Sequence, residues 1–217
     1  MLADIGTDAA NGNNANTSAI DEDDLNALTG VSGAIGGNVI SYRAAIAANE
    51  GPFNSPATEA EVQAMIDAVN VAATASAEAL AEVLEDSNSA GGANNANGTA
   101  VTAAQLAAIT GIMNIDPANE AAYQSAIASE TGFSNPPTVA EVQGVINEAN
   151  NVSAVVTSST NNTLTQQELT DAGITQTGLS QEELDTIAIA ISNANPAPST
   201  TEAVSYTHLT LPTILLV

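Results

Sequence analysis

Apolar positions along the chain recur at three- and four-residue spacings, the period of helices with one buried face: Leu25 and Leu28; Val39, Tyr42 and Ile46; Val62, Ile66 and Val69. The stops and starts between these groups agree with the spacing. A short first helix is predicted over 21–28 and again over 102–109, closed by Gly30 and Gly111. A second starts near Asn38, and in its later counterpart at Asp116-Pro117, an N-cap followed by the one position where a helix accepts proline. These second helices are expected to end before Gly51-Pro52 and before Gly132. A third starts at Thr58-Glu59-Ala60-Glu61 and at Thr138-Val139-Ala140-Glu141, where hydroxyl and carboxylate each satisfy a backbone N–H that the first turn leaves open. Pro56, Pro136 and Pro137 block propagation from upstream. From Val62 the seam continues through Ile66, Val69, Ala73, Ser76, Leu80 and Val83. That predicts one helix over 58–86, roughly 40 Å long at 1.5 Å per residue, with a break near Thr74 and Ser76 as the alternative. The corresponding helix of the later copy is expected to end near Asn150, where Val, Ser, Thr and Asn replace the seam.

The pattern is duplicated. Asn13-Asn14-Ala15-Asn16 returns as Asn94-Asn95-Ala96-Asn97, and Tyr42 with Ala45-Ile46-Ala47 returns as Tyr123 with Ala126-Ile127-Ala128, an offset of 81. One residue is then lost, so Phe53, Pro56, Thr58 and Ala60-Glu61-Val62-Gln63 return at an offset of 80. From Asn13 to Asn70, 24 of 58 aligned positions are identical, which shared composition alone does not produce. A third, degraded copy begins near Thr163, with capping boxes at Thr165/Glu168 and Ser180/Glu183. Both ends are expected to be cuts through a longer array. The organisation read from the repeat is 1–16, the end of a preceding repeat and its connector; 17–86, repeat 1; 87–98, a connector; 99–151, repeat 2; and 152–203, a partial repeat 3. The expected fold class is all-α: tandem three-helix bundle modules joined by a long helix and Asn/Gly-rich connectors.

Composition narrows the chemistry. Of 217 residues 25 are Asp or Glu, while Arg43 is the single basic residue, giving a net charge of −24 with no Cys. Ala supplies 43 residues, so large side chains for a core are scarce. Tyr42, Phe53, Tyr123 and Phe133 stand at matching places in the two copies, the pattern of packing anchors. Nucleophilic catalysis has no base or activated nucleophile to draw on, since the chain lacks Lys and its one histidine is His208. Glu61, Glu141, Glu168 and Glu183 are explained as capping residues, where a raised pKa is not expected. No residue is assigned a catalytic, cofactor-binding or metal-binding role, and no cofactor is expected. Nucleic acid and anionic membrane surfaces require basic residues that the chain lacks, and the apolar run 209–217 is far below the roughly 20 residues of a membrane span.

Calcium is the one ion to weigh. Asp86-Ser87-Asn88-Ser89-Ala90-Gly91 begins like an EF-hand loop, then fails at position five, Ala90, and at position twelve, Asn97, where a bidentate Glu belongs. The cluster Asp21-Glu22-Asp23-Asp24 has the charge for a divalent ion and equally suits the dipole of a first helical turn.

The sequence Tyr-x3-Ile, then Phe, Pro and Thr-x-Ala-Glu-Val-Gln-x2-Ile, with Asn/Gly-rich connectors, resembles the tandem helical repeats of very long bacterial surface or secreted adhesins. The three-helix order is similar to albumin-binding-type modules at the level of fold, but those carry Lys in helices that here have none. The resemblance implies a non-catalytic spacer segment of a large extracellular or cell-surface protein, whose partners are neighbouring repeats of the same chain. The alternative is a helical module that engages a host or matrix protein or glycan; its expected mark is an exposed apolar patch repeated on both copies. Residues 204–217, from Val204-Ser205-Tyr206-Thr207-His208 onward, resemble the translated read-through of a sequencing-library adapter and are set aside as non-native. Met1 to Ile5 shows neither the basic nor the apolar region of a signal peptide.

Overall fold

The computed structural model describes residues 1–49, 53–194 and Val204. The helix stop assigned to Gly51-Pro52, residues 195–203 of the third repeat, and all of 204–217 except Val204 lie outside the described residues. The fold is all-α: α1 Leu2–Asn11, α2 Glu22–Asn26, α3 Val39–Ala48, α4 Glu59–Asp86, α5 Ala103–Ala108, α6 Glu120–Ser129, α7 Val139–Thr160, α8 Gln166–Asp171 and α9 Gln181–Asn193, with no strand among the described residues. The second helix of each copy is entered through a single 3-10 turn, Gly36–Asn38 and Pro117–Asn119, so the α-helices proper begin at Val39 and Glu120. The α4 helix is unbroken through Thr74 and Ser76. The capping boxes expected at the starts of α4, α7, α8 and α9 are formed, by Thr58, Thr138, Thr165 and Ser180, and the short helices α2 and α5 have further boxes at Asp21 and Thr102.

Two compact units divide the chain, Met1–Ala77 and Glu78–Val217. The first unit has one core, in which Ile5 of α1, Leu25 of α2, Tyr42 and Ile46 of α3, and Val62 and Ile66 of α4 are all fully buried. The second unit has two. In one, Val83 of α4 joins Leu106, Tyr123, Ile127, Val142 and Ile146 from α5, α6 and α7. Position by position, Leu25, Tyr42, Ile46, Val62 and Ile66 correspond to Leu106, Tyr123, Ile127, Val142 and Ile146 at the sequence offsets of 81 and 80. Ile5 and Val83 show that each core also takes in the end of the helix before its own short helix. A fully buried side chain of this size contributes about 1.5–3 kcal/mol relative to an exposed one, so a few such positions dominate an Ala-rich module.

The other core of the second unit joins Val152 and Val155 of α7 to Leu169 of α8 and Leu184, Ile187 and Ile191 of α9, with Val204 also buried in it. Here the structure departs from the sequence expectation. The α7 helix does not end near Asn150 but runs to Thr160, and the expected 151/152 boundary lies inside it. The cause is packing: Val152 and Val155 keep one face apolar for two further turns, and Asn151 is held by its side-chain N–H to the Asp171 carbonyl at 2.7 Å. One helix thus serves two consecutive cores, packing against α6 and also against α8 and α9.

The asparagine-rich composition has a backbone explanation. Every non-glycine residue with left-handed φ among the described residues is Asn: Asn49, Asn94, Asn95, Asn114 and Asn162. Asn tolerates this region because its short side chain bonds locally. The connectors are therefore specified turns.

Candidate functional site

Three polar residues shared by the two copies, Asn38, Tyr42 and Asn70 with their counterparts Asn119, Tyr123 and Asn150, meet in one arrangement made twice. In the first unit, Asn70 on α4 accepts from the Tyr42 hydroxyl at 2.6 Å and the Asn38 amide at 2.8 Å, and donates to the Gly33 carbonyl at 2.9 Å. The Tyr42 oxygen in turn accepts from the Ile35 N–H at 3.0 Å. In the second unit, Asn150 on α7 accepts from Tyr123 at 2.6 Å and Asn119 at 2.8 Å and donates to the Asn114 carbonyl at 2.9 Å, while Tyr123 accepts from the Asp116 N–H at 2.9 Å. A second clamp sits two turns earlier on the same helices. Gln63 both accepts from and donates to the backbone of Ser32, at 2.8 and 3.1 Å, and Gln143 does the same to Met113, at 2.8 and 3.2 Å. Each clamp ties the loop between the first and second helices onto the third. A buried tyrosine thereby gains a partner for its hydroxyl, and loop amides that no helix serves are satisfied.

The third shared feature is the helix start. Glu61 accepts from the Thr58 N–H and from the Asn54 backbone and side chain; Glu141 accepts from Thr138 and from the Ser134 N–H and hydroxyl. The Ser134 hydroxyl, followed by the Thr138 N–H and hydroxyl, lowers the Glu141 pKa from 4.5 to about 2. Glu61 and Glu183 are lowered in the same direction, first by the N–H groups of their capping residues Thr58 and Ser180; in Glu168 burial, the largest influence, pushes up and is outweighed by bonds from the Ser158 hydroxyl and from Thr165. A carboxylate held this firmly in its charged form is a poor general acid or base near neutral pH. Arg43, the one basic side chain, donates through Nε to the Ile20 carbonyl at 2.8 Å, and at the matching position Gln124 donates to the Val101 carbonyl at 2.9 Å. Its replacement by a neutral residue in the other copy shows that the position needs a donor and not a charge.

Where the copies differ, the chemistry is less bland. Each unit has a buried acid near the end of the helix leading into its short helix: Asp8 in α1 and Asp86 in α4. Asp8 is saturated, taking four bonds from the N–H groups and side chains of Asn16 and Thr17 at 2.6–2.9 Å. Burial pushes its pKa up, but those four donors outweigh it and hold the carboxyl below its usual range. Asp86, 3% exposed, accepts one backbone N–H, that of Val101, on Oδ2 at 2.6 Å; no donor of the ionised chain reaches its buried Oδ1, and its side chain also meets that of Glu85. Burial first, and then the charges of Glu82 and Glu85, push its pKa up against the Val101 bond.

Glu82, Glu85 and Asp86 lie on the last turns of α4, and one carboxylate oxygen from each lies within 4.8 Å of the others. The connector folds back over them. The Ala93 and Asn95 N–H groups bond to the Glu85 carbonyl, the Asn97 N–H to Glu85 Oε1 at 2.9 Å, and the Asn97 and Thr99 side chains to Glu82 at 3.1–3.2 Å. Gly92 makes the close return possible, since a Cβ there would lie 2.4 Å from the Ser87 carbonyl oxygen and 2.5 Å from that of Leu84.

The residues of the loop that the sequence compared with a calcium loop do not converge. Ser87 donates to the Leu84 carbonyl, Asn88 binds the Ala128 carbonyl, and Ser89 bonds to the Glu130 carbonyl and the Phe133 N–H. They fasten the connector to the end of α6. Of Asp21 to Asp24, Asp21 and Asp24 form the α2 capping box, and the four are not gathered into a group with metal-ligand spacing. Sequence reading missed Glu82 and Glu85 because it began the loop at Asp86; the spacing of 82, 85 and 86 along one helix face was the signal. No helix among the described residues is long and apolar enough to cross a membrane. No protein-family model, curated protein or solved structure matches the chain.

Proposed function

We propose that the chain is a non-catalytic structural segment, tandem helical modules that act as a spacer within a large extracellular bacterial adhesin-like protein. The observation that carries this reading is the duplication of the clamp: the same Tyr, Asn, Gln, Glu and Thr are used internally in both copies, with matching partners at nearly matching distances. A sequence preserved for binding or catalysis leaves its shared polar groups free to meet a ligand, whereas these are engaged in bonds within the chain. Sharing of α7 between two cores supports the same reading, because neighbours that share a helix stabilise one another as arrays do. With a single basic residue the chain also offers trypsin-like proteases almost no cleavage site, which suits exposure outside a cell.

A binding module would be favoured by an apolar patch present on both copies. The exposed Ile35, Ile40 and Val71 of the first unit correspond instead to Asp116, Ala121 and Asn151 in the second. The test is to insert one, two and three further copies of residues 13–93 in register and follow denaturant unfolding. The spacer reading expects the midpoint to rise with each added copy and then level off. A midpoint independent of copy number, or retention of one specific partner by the immobilised chain from matrix and host-cell extracts, overturns it.

A further inference from the structure

We propose that Glu82, Glu85 and Asp86 form a calcium-binding site that locks the 87–100 connector onto the end of α4. Among the described residues, four buried side-chain oxygens lack a hydrogen-bond partner; two of them, Glu85 Oε2 and Asp86 Oδ1, belong to this cluster, and a third, Asn95 Oδ1, to the connector that folds over it. Burying a polar group without a partner costs on the order of 1–3 kcal/mol, and more for a charged one. The rest of the chain avoids that cost; the saturated Asp8 shows how the same fold satisfies a buried acid when nothing else is to be held there.

The geometry suits a cation. All three orphans are acceptors, so what they lack is a positive centre or a donor. Calcium–oxygen distances are about 2.3–2.6 Å, so two ligands on one ion lie at most about 5 Å apart, and the three carboxylate oxygens fall within 4.8 Å of one another. Glu85 and Asp86 each spend one oxygen on a backbone N–H, of Asn97 and of Val101, and the other accepts from no donor. Asn95, in left-handed backbone, bonds through its N–H to the Glu85 carbonyl and so ties the connector to the same turn of helix. An all-oxygen set of carboxylates at the end of a helix matches the variable coordination of calcium better than the strict octahedron of magnesium. Thiolate and imidazole ligands of softer metals are absent from the set. The site is particular to this connector. The first unit has Thr7 and Asp8 at the corresponding end of α1, and the third core is entered from α7 through Ser158 and Ser159 with a much shorter connector.

The test uses the full chain, freed of divalent ions with a chelator and titrated with calcium chloride in a calorimeter. Amide exchange of residues 93–101 is followed in parallel. The expected result is one site per chain with a dissociation constant of about 10⁻⁵–10⁻³ M, the range of sensor and extracellular sites, and slower exchange of the connector. Glu85→Gln should weaken binding at least tenfold while leaving the chelator-treated chain no less stable, because it removes like-charge repulsion. Asp8→Asn should leave the calcium response unchanged. Absence of heat and of any exchange change up to about 10 mM calcium, well above the weakest such sites, overturns the proposal. An equal response to magnesium, or a response that survives Glu85→Gln, overturns it as well.

Discussion

Replacing Asn150 by Ala removes the acceptor for the Tyr123 hydroxyl and the Asn119 amide and the donor to the Asn114 carbonyl, three bonds of 2.6–2.9 Å. At about 0.5–1.5 kcal/mol net each, with a fully buried tyrosine left without an acceptor for its proton, the expected loss is about 2–4 kcal/mol. By the relation of 1.4 kcal/mol per tenfold, amides of α6 and the first half of α7 that open with their unit should exchange roughly 30- to 700-fold faster. The duplication supplies a built-in replicate. Asn70→Ala breaks the same three bonds in the first unit, so it should cost a similar amount there, read from amides of α3 and the first half of α4. Combining Asn150→Ala with Tyr123→Phe should cost less than the sum of the two single changes, because both act on one interaction. A loss below about 0.5 kcal/mol at either site, the size expected of an ordinary surface substitution, refutes the reasoning. So does a pair of losses that differ several-fold.

Two further outcomes follow from the electrostatics. Glu141 is lowered to about 2 in the folded chain by the Ser134 hydroxyl and the Thr138 N–H and hydroxyl, so between about pH 4.5 and 2 the unfolded chain binds more protons than the folded one. The start of α7 should therefore lose stability as pH falls through that window, and Glu141→Gln should abolish the dependence, as read from the first-turn amides by NMR titration. Arg43→Gln should change unfolding free energy by less than about 0.5 kcal/mol, since Gln124 makes the equivalent bond without a charge; a larger loss by denaturant titration would show that the cation itself matters.

Much of the fold was legible because it is local. Capping boxes, Asp-Pro and the three- and four-residue spacing act within a turn or two, and they placed the helices of both copies to within a few residues. The end of α7 was not legible. Asn150, Asn151 and the Ser/Thr-rich stretch after them read as a helix ending, and only packing against α8 and α9 carries the helix on. The clamp was half visible. Tyr42 and Tyr123 stood out as anchors, but the bonds that fix their hydroxyls come from Asn70 and Asn150, 28 and 27 residues away, a separation that no local pattern reports. The acidic connector was hidden for a related reason. Its glutamates belong to a helix and its other members to a loop, and the return at Gly92 that joins them depends on free space rather than on a motif.

Four backbone amides test the central claim most directly: Ile35 and Asp116, which donate to tyrosine hydroxyls, and Ser32 and Met113, which donate to glutamine side chains. All four lie in loops outside any helix. Residue-resolved amide exchange of the intact chain should find them slow, in two matched pairs, with protection close to that of the neighbouring helices. Exchange at the rate of open loop amides, or protection in one copy and not in the other, would contradict a module built twice from the same internal bonds.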